Sequence, residues 1–498
     1  MKKTVIITLL SLSMFSCKKF LAERSQTDVI PETTKDFGQL LFTAGYPSVT
    51  LMQPYITLMD DDIQCYNGQP LSGQQSDVTS NAGAFQWQPD FIDVCKSAGS
   101  PDGQNFNSWK NYYQLILGTN VALQYLDNSK GSTTEKEIYK GEAYTLRAFY
   151  HFMLVNLYAK PYNDVSSTPD KSPGIPIRLS ADLSEKMLSR NTVKEVYDQI
   201  TKDLDSAMYF LDKTKPDQLS YRISHIAAHF LASRVYLYME QWDKAIAQAD
   251  YVLMYHPQLM NLNNWGGYGD PVEKPIIGPK NVETIWHYGT TLETSPTGTG
   301  TAYDVSHDLA NCFEESDLRN IIFFSIIPDF AKPFNACDYG QMKFNIDLFQ
   351  GKPALGCSWR SAEVYLNRAE AYIQKYRLKG DASAAQEALK SLNQLRANRI
   401  DKSSFTPWTI QPADSLLTMC RTERRRELFA EGGHRWFDLR RYGMPAIKHV
   451  FAGTMNTSSV YELPARDPQY VLPIPNEVLL RNPTIIQNPQ RGGQRLPN

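Results

Sequence analysis

The sequence predicts a mainly α fold: antiparallel helices in a repeating stack, interrupted by a loop-rich insertion region that contains short strands. Three observations carry this. Apolar residues recur at three- and four-residue steps in stretch after stretch, the signature of helix faces. Thr134 opens one such stretch, and Pro161 and Pro257 close two, as capping and breaking residues do. Residues 259–357 lose the periodicity and fill with Gly, Pro, Thr and Asn, the composition of turns.

In chain order, Lys2 and Lys3 precede an apolar run of 13 residues, Thr4 to Ser16. That run is short for a membrane span and fits a signal peptide, residues 1–16. Ser16-Cys17 places a small residue directly before a cysteine, which resembles the bacterial lipobox. Cys17 is therefore the expected lipidation site and mature N-terminus. Residues 17–104 are rich in Gln, Asn, Ser and Gly yet carry Tyr55, Tyr66, Phe85, Trp87 and Phe91. Aromatics at that frequency argue for ordered loops and short helices rather than disorder.

Residues 105–258 form the helical core. Helices are expected at Phe106–Leu126, at Glu135–Ala159 and at Thr192–Leu211. The second is apolar on nearly all sides and hence buried. Ile226 to Pro257 then reads as a helical hairpin broken at Gln241-Trp242-Asp243. Ala232, Ser233, Ala245 and Ala249 are small where the two helices face each other, so the backbones can approach closely. The pattern, with Trp242 at the turn and Pro257 at the end, resembles a tetratricopeptide repeat. One hairpin cannot bury its own faces, and the preceding helices make it part of a solenoid-like stack.

The insertion, 259–357, is far longer than an ordinary connection. Thr284 to Trp286 and Ile321 to Ile327 are its candidate strands. Helices resume in 358–443, with Arg360–Leu378 and Ala384–Arg399 as a looser copy of the central hairpin, then Ser415–Ala430. The segment 444–498 is expected to be an irregular, wrapping tail; eight prolines lie between Gly443 and Asn498.

The chain has 498 residues and a net charge of −2, so no overall field favours nucleic acid. Arg421 to Arg441 is arginine-rich, but Glu423, Glu427, Glu431 and Asp438 lie within one or two turns, and local ion pairs are expected to neutralise it. His225 and His229 share one helix face. A zinc protease needs Glu after the first His; Ile226 stands there, so these are read as structural or surface histidines. Asp60-Asp61-Asp62 lacks calcium-loop spacing and reads as a solvated acidic turn. Six cysteines remain after Cys17, none in a C-x2-C pair, which gives no zinc site. Nothing in the sequence calls for a metal or a cofactor.

Two loop-rich stretches interleave aromatics with amides and acids. In the first, Tyr66 and Trp87 accompany Asn67, Gln69, Gln86 and Gln88; in the second, Trp265 and Tyr268 accompany Asn263, Asn264 and Asp270. Sugar C–H faces stack on aromatic rings while hydroxyls seek amides and carboxylates. The predicted ligand residues are Trp87, Tyr66, Trp265, Tyr268, Asn67, Gln86, Asn264 and Asp270, with Trp87 first. Any one of these aromatics has an alternative role, anchoring its loop on the core.

RRRELFAEGGHRWFDLRR resembles the C-terminal signature of the SusD/RagB family of Bacteroidetes outer-membrane lipoproteins. SCKKFL, GEAYTLRAFYHFMLVNLYAKPY, VSHDLANCFEESDLR and YVLPIPNEVLLRNPTIIQNP resemble other parts of the family in matching order. The resemblance implies a tetratricopeptide-like scaffold on the outer membrane and at the cell surface. It implies a SusC-like TonB-dependent transporter as partner, which the lipoprotein covers as a lid. It also implies binding of oligosaccharide (glycan) nutrient, or of peptide in one branch, without enzymatic activity. A surface glycoside hydrolase is the enzyme alternative.

Overall fold

The computed structural model describes residues 31–47, 52–67, 75–98, 107–182, 187–265, 276–289, 302–332, 338–341, 343, 346–347, 352–353, 356–454 and 457–498. Cys17 and the signal segment, Gln69, Tyr268, Asp270 and Cys337 lie outside these residues. Short helices α1 (Thr34–Leu40), α2 (Gln75–Phe85) and α3 (Phe91–Ser97) precede the long α4 (Ser108–Tyr125), α5 (Thr133–Tyr158) and α6 (Val193–Thr214). The central hairpin is α7 (His225–Tyr238) and α8 (Trp242–Tyr255). After the insertion, with α9 (His307–Ala310) and α10 (Arg319–Ile322), come α11 (Ser361–Lys379), α12 (Ala382–Arg396), α13 (Ala413–Leu428), α14 (His434–Arg441) and α15 (Asn476–Arg481). Among the described residues, no helix is long and apolar enough to cross a membrane.

Successive helices pack as neighbours from α4 to α8, and α11 then stacks on α8 and carries α12 and α13. This is the helical-repeat scaffold expected from the sequence. Its helix starts are chemically defined. Ser132, not Thr134, caps α5, its hydroxyl accepting from the Glu135 amide. Thr192 caps α6 in a reciprocal box with Glu195, so two amides that lack helical partners are satisfied at once. Close approach is met by small residues. Ala245 and Ala249 are fully buried, and a Cβ on Gly141 of α5 would stand 2.5 Å from the Leu211 side chain of α6. Ala249→Leu is therefore expected to overpack the hairpin at about 1–3 kcal/mol. An unchanged urea midpoint would refute that packing.

Buried arginines tie helix to helix. Arg147 of α5 forks onto Asp203 of α6 at 2.7 and 2.9 Å and reaches Asn120 of α4 at 2.9 Å. Arg234 of α7 makes two 2.6 Å bonds to Glu363 of α11. Paired, bidentate geometry is what makes buried charge tolerable. The two helix-face histidines are structural here: His229 stacks on Tyr251 at 3.6 Å and meets Asp212 at 3.2 Å, while His225 bonds the Tyr251 hydroxyl at 3.0 Å.

The strands form two-stranded antiparallel pairs. β1 (Ile63–Cys65) pairs with β3 (Tyr303–Val305), β2 (Thr284–Tyr288) with β8 (Cys357–Arg360), and β4 (Phe324–Ile326) with β5 (Tyr339–Gln341); β6 (Ile346–Asp347) with β7 (Lys352–Pro353) is the smallest pair. The Ile321–Ile327 run divides: its first residues complete α10, and only Phe324–Ile326 is extended. The tail differs more from expectation. It carries a hairpin of β9 (Ile447–Thr454) and β10 (Thr457–Leu463), whose prolines fall only outside the strands. Among the described residues, Cys65, Cys95, Cys312 and Cys420 are free thiols.

The arginine-rich stretch is paired, but mostly with distant partners. Arg424 bonds Asp438 at 2.8 Å and Asn367 at 2.8 Å; Arg441 holds Glu370 through two 2.6 Å bonds. Glu427 lies at the centre of a hub. It accepts from Arg319 at 3.1 Å, from Arg360 at 2.9 Å and from Arg399 at 2.8 and 2.9 Å. Glu283 and Glu431 share these guanidiniums, and Lys343 closes the hub through Glu431 and the Glu427 carbonyl. Burial alone would raise the Glu427 carboxyl, but Arg399 and Arg360 hold it well below the usual carboxylate range.

Candidate functional site

Two further arginines of that stretch, Arg425 and Arg435, build a polar face where the N-terminal segment meets the insertion. Asp60-Asp61-Asp62 is not a solvated turn: Asp60 and Asp62 are buried. Arg425 meets Asp62 at 2.6 Å and Asp308 at 2.7 Å, and Arg435 grips Asp61 at 2.6 and 2.7 Å. Held in this way, the acidic run presents its carbonyls to the insertion. Ser306 donates its amide to the Asp62 carbonyl at 2.7 Å and its hydroxyl to the Asp61 carbonyl at 2.9 Å. The same hydroxyl caps α9 by accepting from Leu309. β1 and β3 then pair alongside, and the Tyr66 amide continues the contact to the Ala302 carbonyl at 2.9 Å.

Around that joint a set of polar side chains converges. The His307 amide donates to Gln64 Oε1 at 3.1 Å, and Gln64 Nε2 reaches Asp338 Oδ2 at 3.3 Å. The His307 ring stands 3.3 Å from Asp338 Oδ2 on one side and 3.3 Å from the Tyr339 hydroxyl on the other. Its side chain is 60% exposed. Beneath them lies Asp304, which accepts from the Asp338 and Tyr339 amides at 2.6 and 3.1 Å. Burial pushes its carboxyl up to about 7, against the pull of those two amides. Acceptors, a donor-acceptor ring and a phenol on one accessible face suit a hydroxyl-rich ligand. Among the described residues no three His, Cys, Asp or Glu side chains group to hold a metal ion.

The predicted ligand residues are divided by the fold. Asn67 and Asn264 are exposed, and Trp265 is half-buried. Trp265 packs on the small apolar cluster that also contains Val305 of β3 and is flanked by Tyr339. Trp87 is the main correction. It has no exposed surface, its indole N–H donates to the Met59 carbonyl at 2.8 Å, and its ring stacks on His449 at 4.1 Å. Tyr66 and Gln86 are buried as well, with Gln86 bonded to Gln88. Trp87 anchors its segment on the core, where His449 of the β9–β10 hairpin covers it from the far end of the chain. His307, Asp338, Tyr339 and Gln64 were not singled out from the sequence. The cue present was Ser306 before His307-Asp308, a helix-capping pattern inside a turn-rich insertion.

Comparison with known proteins follows this division. A family model described as "Starch-binding associating with outer membrane" matches residues 20–237, and one described as "SusD family" matches residues 339–490. SusD-like protein P25 of Formosa agariphila is 21% identical over 63% of this chain and 54% of its own length. SusD-like protein P2 of the same organism is 23% identical over 78% of this chain and 81% of its own. The chain thus spans about half the length of P25 and more of P2. Among solved structures, a SusD superfamily protein from Bacteroides thetaiotaomicron has a TM-score of 0.69 at 23% identity, covering 92% of this chain and 100% of that one. A SusD-like carbohydrate binding protein from Bacteroides vulgatus has a TM-score of 0.66 at 20% identity, covering 91% and 97%.

Proposed function

The chain belongs to the SusD family, and on that premise we propose that it is a lipid-anchored cell-surface protein of the outer membrane that binds oligosaccharide and delivers it to a SusC-like TonB-dependent transporter. The observation that carries the reading for this chain is the convergence of Gln64, His307, Asp338 and Tyr339 beside the β1–β3 joint, with Trp265 packed on the same apolar cluster as Tyr339. Hydroxyls of a glycan would be read by His307, Asp338, Gln64, Asn67 and Asn264, and a sugar face would lie on Trp265 or Tyr339. Tyr268 and Asp270 remain part of the proposed site. The protein's part is capture and release, with no bond made or broken.

The test is calorimetric titration of the purified protein with a panel of oligosaccharides, malto-oligosaccharides included. Saturable binding without turnover is the expected result. Hydrolysis of any member would favour the enzyme alternative, and titration by peptides alone would favour the peptide-binding branch. His307→Ala is expected to weaken the bound glycan by about 0.5–1.5 kcal/mol, the worth of a hydrogen bond, with the melting temperature unchanged because the ring is exposed. Equal affinity would remove His307 from the site. For the anchor, Cys17→Ala is expected to move the protein from the outer-membrane fraction to the soluble one, since acyl chains on a single cysteine hold it there. Retention in the membrane fraction would refute that anchor.

A further inference from the structure

A cavity of about 770 Å³ opens between the end of α5, the segment before α6 and the C-terminal tail. Its size is that of a small-molecule pocket. Its walls are of two kinds. Met444, Val471 and Ile486 line an apolar side, and Ile486 is 77% exposed there. The other side carries four cations, Lys160, Lys171, Arg190 and Arg466, against two acids, Asp164 and Asp467.

Both acids are already engaged. Asp164 pairs with Arg466 at 3.1 Å, and Asp467 pairs with Arg495, outside the lining, at 3.0 Å. Among the described residues, no carboxylate lies within ion-pair distance of Lys160, Lys171 or Arg190. Lys160 spends its ammonium on the Ser166 hydroxyl at 2.9 Å. Arg190 is held by oxygens alone that carry no charge: the carbonyls of Gly174, Ile486, Tyr158 and Pro173 and the Asn488 amide, at 2.7–3.1 Å. Burial lowers its guanidinium to about 10, with little to offset it. These five bonds use all five of its N–H groups, so Arg190 contributes a fixed positive charge, beside which stand the ammonium groups of Lys160 and Lys171.

We propose that this cleft is a binding site for a soluble amphipathic anion, a carboxylate or sulfonate-like group on an apolar body, with the anion at the ammonium groups of Lys171 and Lys160 in the field of Arg190 and the apolar body against Met444, Val471 and Ile486. It is separate from the β1–β3 face and independent of the glycan reading. The cleft lacks any aromatic platform for a sugar ring among its lining residues, whereas its charge and its apolar wall together select this class.

The experiment uses 1-octanesulfonate as probe, below its micelle concentration, with 1-octanol and inorganic sulfate as single-feature controls. Calorimetry on the full chain is expected to show saturable binding of octanesulfonate at least tenfold tighter than either control. Lys171→Glu, an exposed change that touches no structural bond, is expected to weaken octanesulfonate at least tenfold with an unchanged melting temperature. Ile486→Ser is expected to weaken it as well, leaving sulfate unaffected. Octanol binding as tightly as octanesulfonate would overturn the anion requirement. Absence of saturation, or a Lys171→Glu protein that titrates like the wild type, would overturn the site. Binding only to phosphatidylglycerol vesicles, with no soluble probe bound, would overturn the soluble ligand in favour of a lipid headgroup.

Discussion

Glu427→Gln is expected to destabilise the protein by about 3–5 kcal/mol, the cost of removing one partner from a buried ion pair. Three guanidiniums, Arg319, Arg360 and Arg399, converge on this one carboxylate, and all four groups are buried. The amide keeps the shape but supplies no charge, and its NH2 would point donors at donors. The sign of the pH dependence follows from the same contacts. Glu427 is held well below its ordinary 4.5, so its contribution is complete above that value and is lost as pH falls through the folded-state pKa. The variant should therefore differ from the wild type most near neutrality and least in acid. Urea unfolding of both proteins at steps from pH 7 down to pH 3 measures this. Equal midpoints at pH 7 would mean that the hub contributes nothing net.

Trp87→Ala is expected to cost about 3–5 kcal/mol, the range for emptying a buried tryptophan site. The ring lies stacked with His449, which on its other face stacks on Phe85 at 4.1 Å. The indole N–H bond to Met59 is lost in the same step. Trp87 also adopts φ 51°, a conformation that side chains seldom take, so packing must be what holds it there. A thermal melt of the variant, beside glycan titration, separates the two roles of an aromatic. A large fall in melting temperature is the expected outcome. An unchanged melt with lost glycan affinity would return Trp87 to the ligand site.

Local pattern made the scaffold readable. The Ile226–Pro257 hairpin and the long helix through Arg147 follow from three- and four-residue spacing and small facing residues, information contained within single stretches. The starts were off by a residue or two where several Ser and Thr compete as caps, as at Ser132 and Thr134. The face was only partly readable. That Trp265 lies in a loop-rich region mixing aromatics with amides is a compositional statement; that Trp87 is covered by His449 of β9 depends on a hairpin more than 350 residues later. Asp60–Asp62 misled for the same reason. Its charge is solvated only if nothing distant answers it, and Arg425 and Arg435 do. The β9–β10 hairpin itself was hidden because prolines crowd its flanks rather than its strands.

The grip of Arg425 and Arg435 on Asp61 and Asp62 also sets an order of events. A ribosome delivers the acidic run first and its cations more than 350 residues later. Until then three adjacent carboxylates have no counter-charge, and Ser306 lacks the fixed carbonyls that orient the start of α9. Joining ends so far apart is a slow, non-local step. The part of the molecule proposed to meet ligand is consequently among the last to be completed, and fragments ending before Arg425 lack the cations that set it in place.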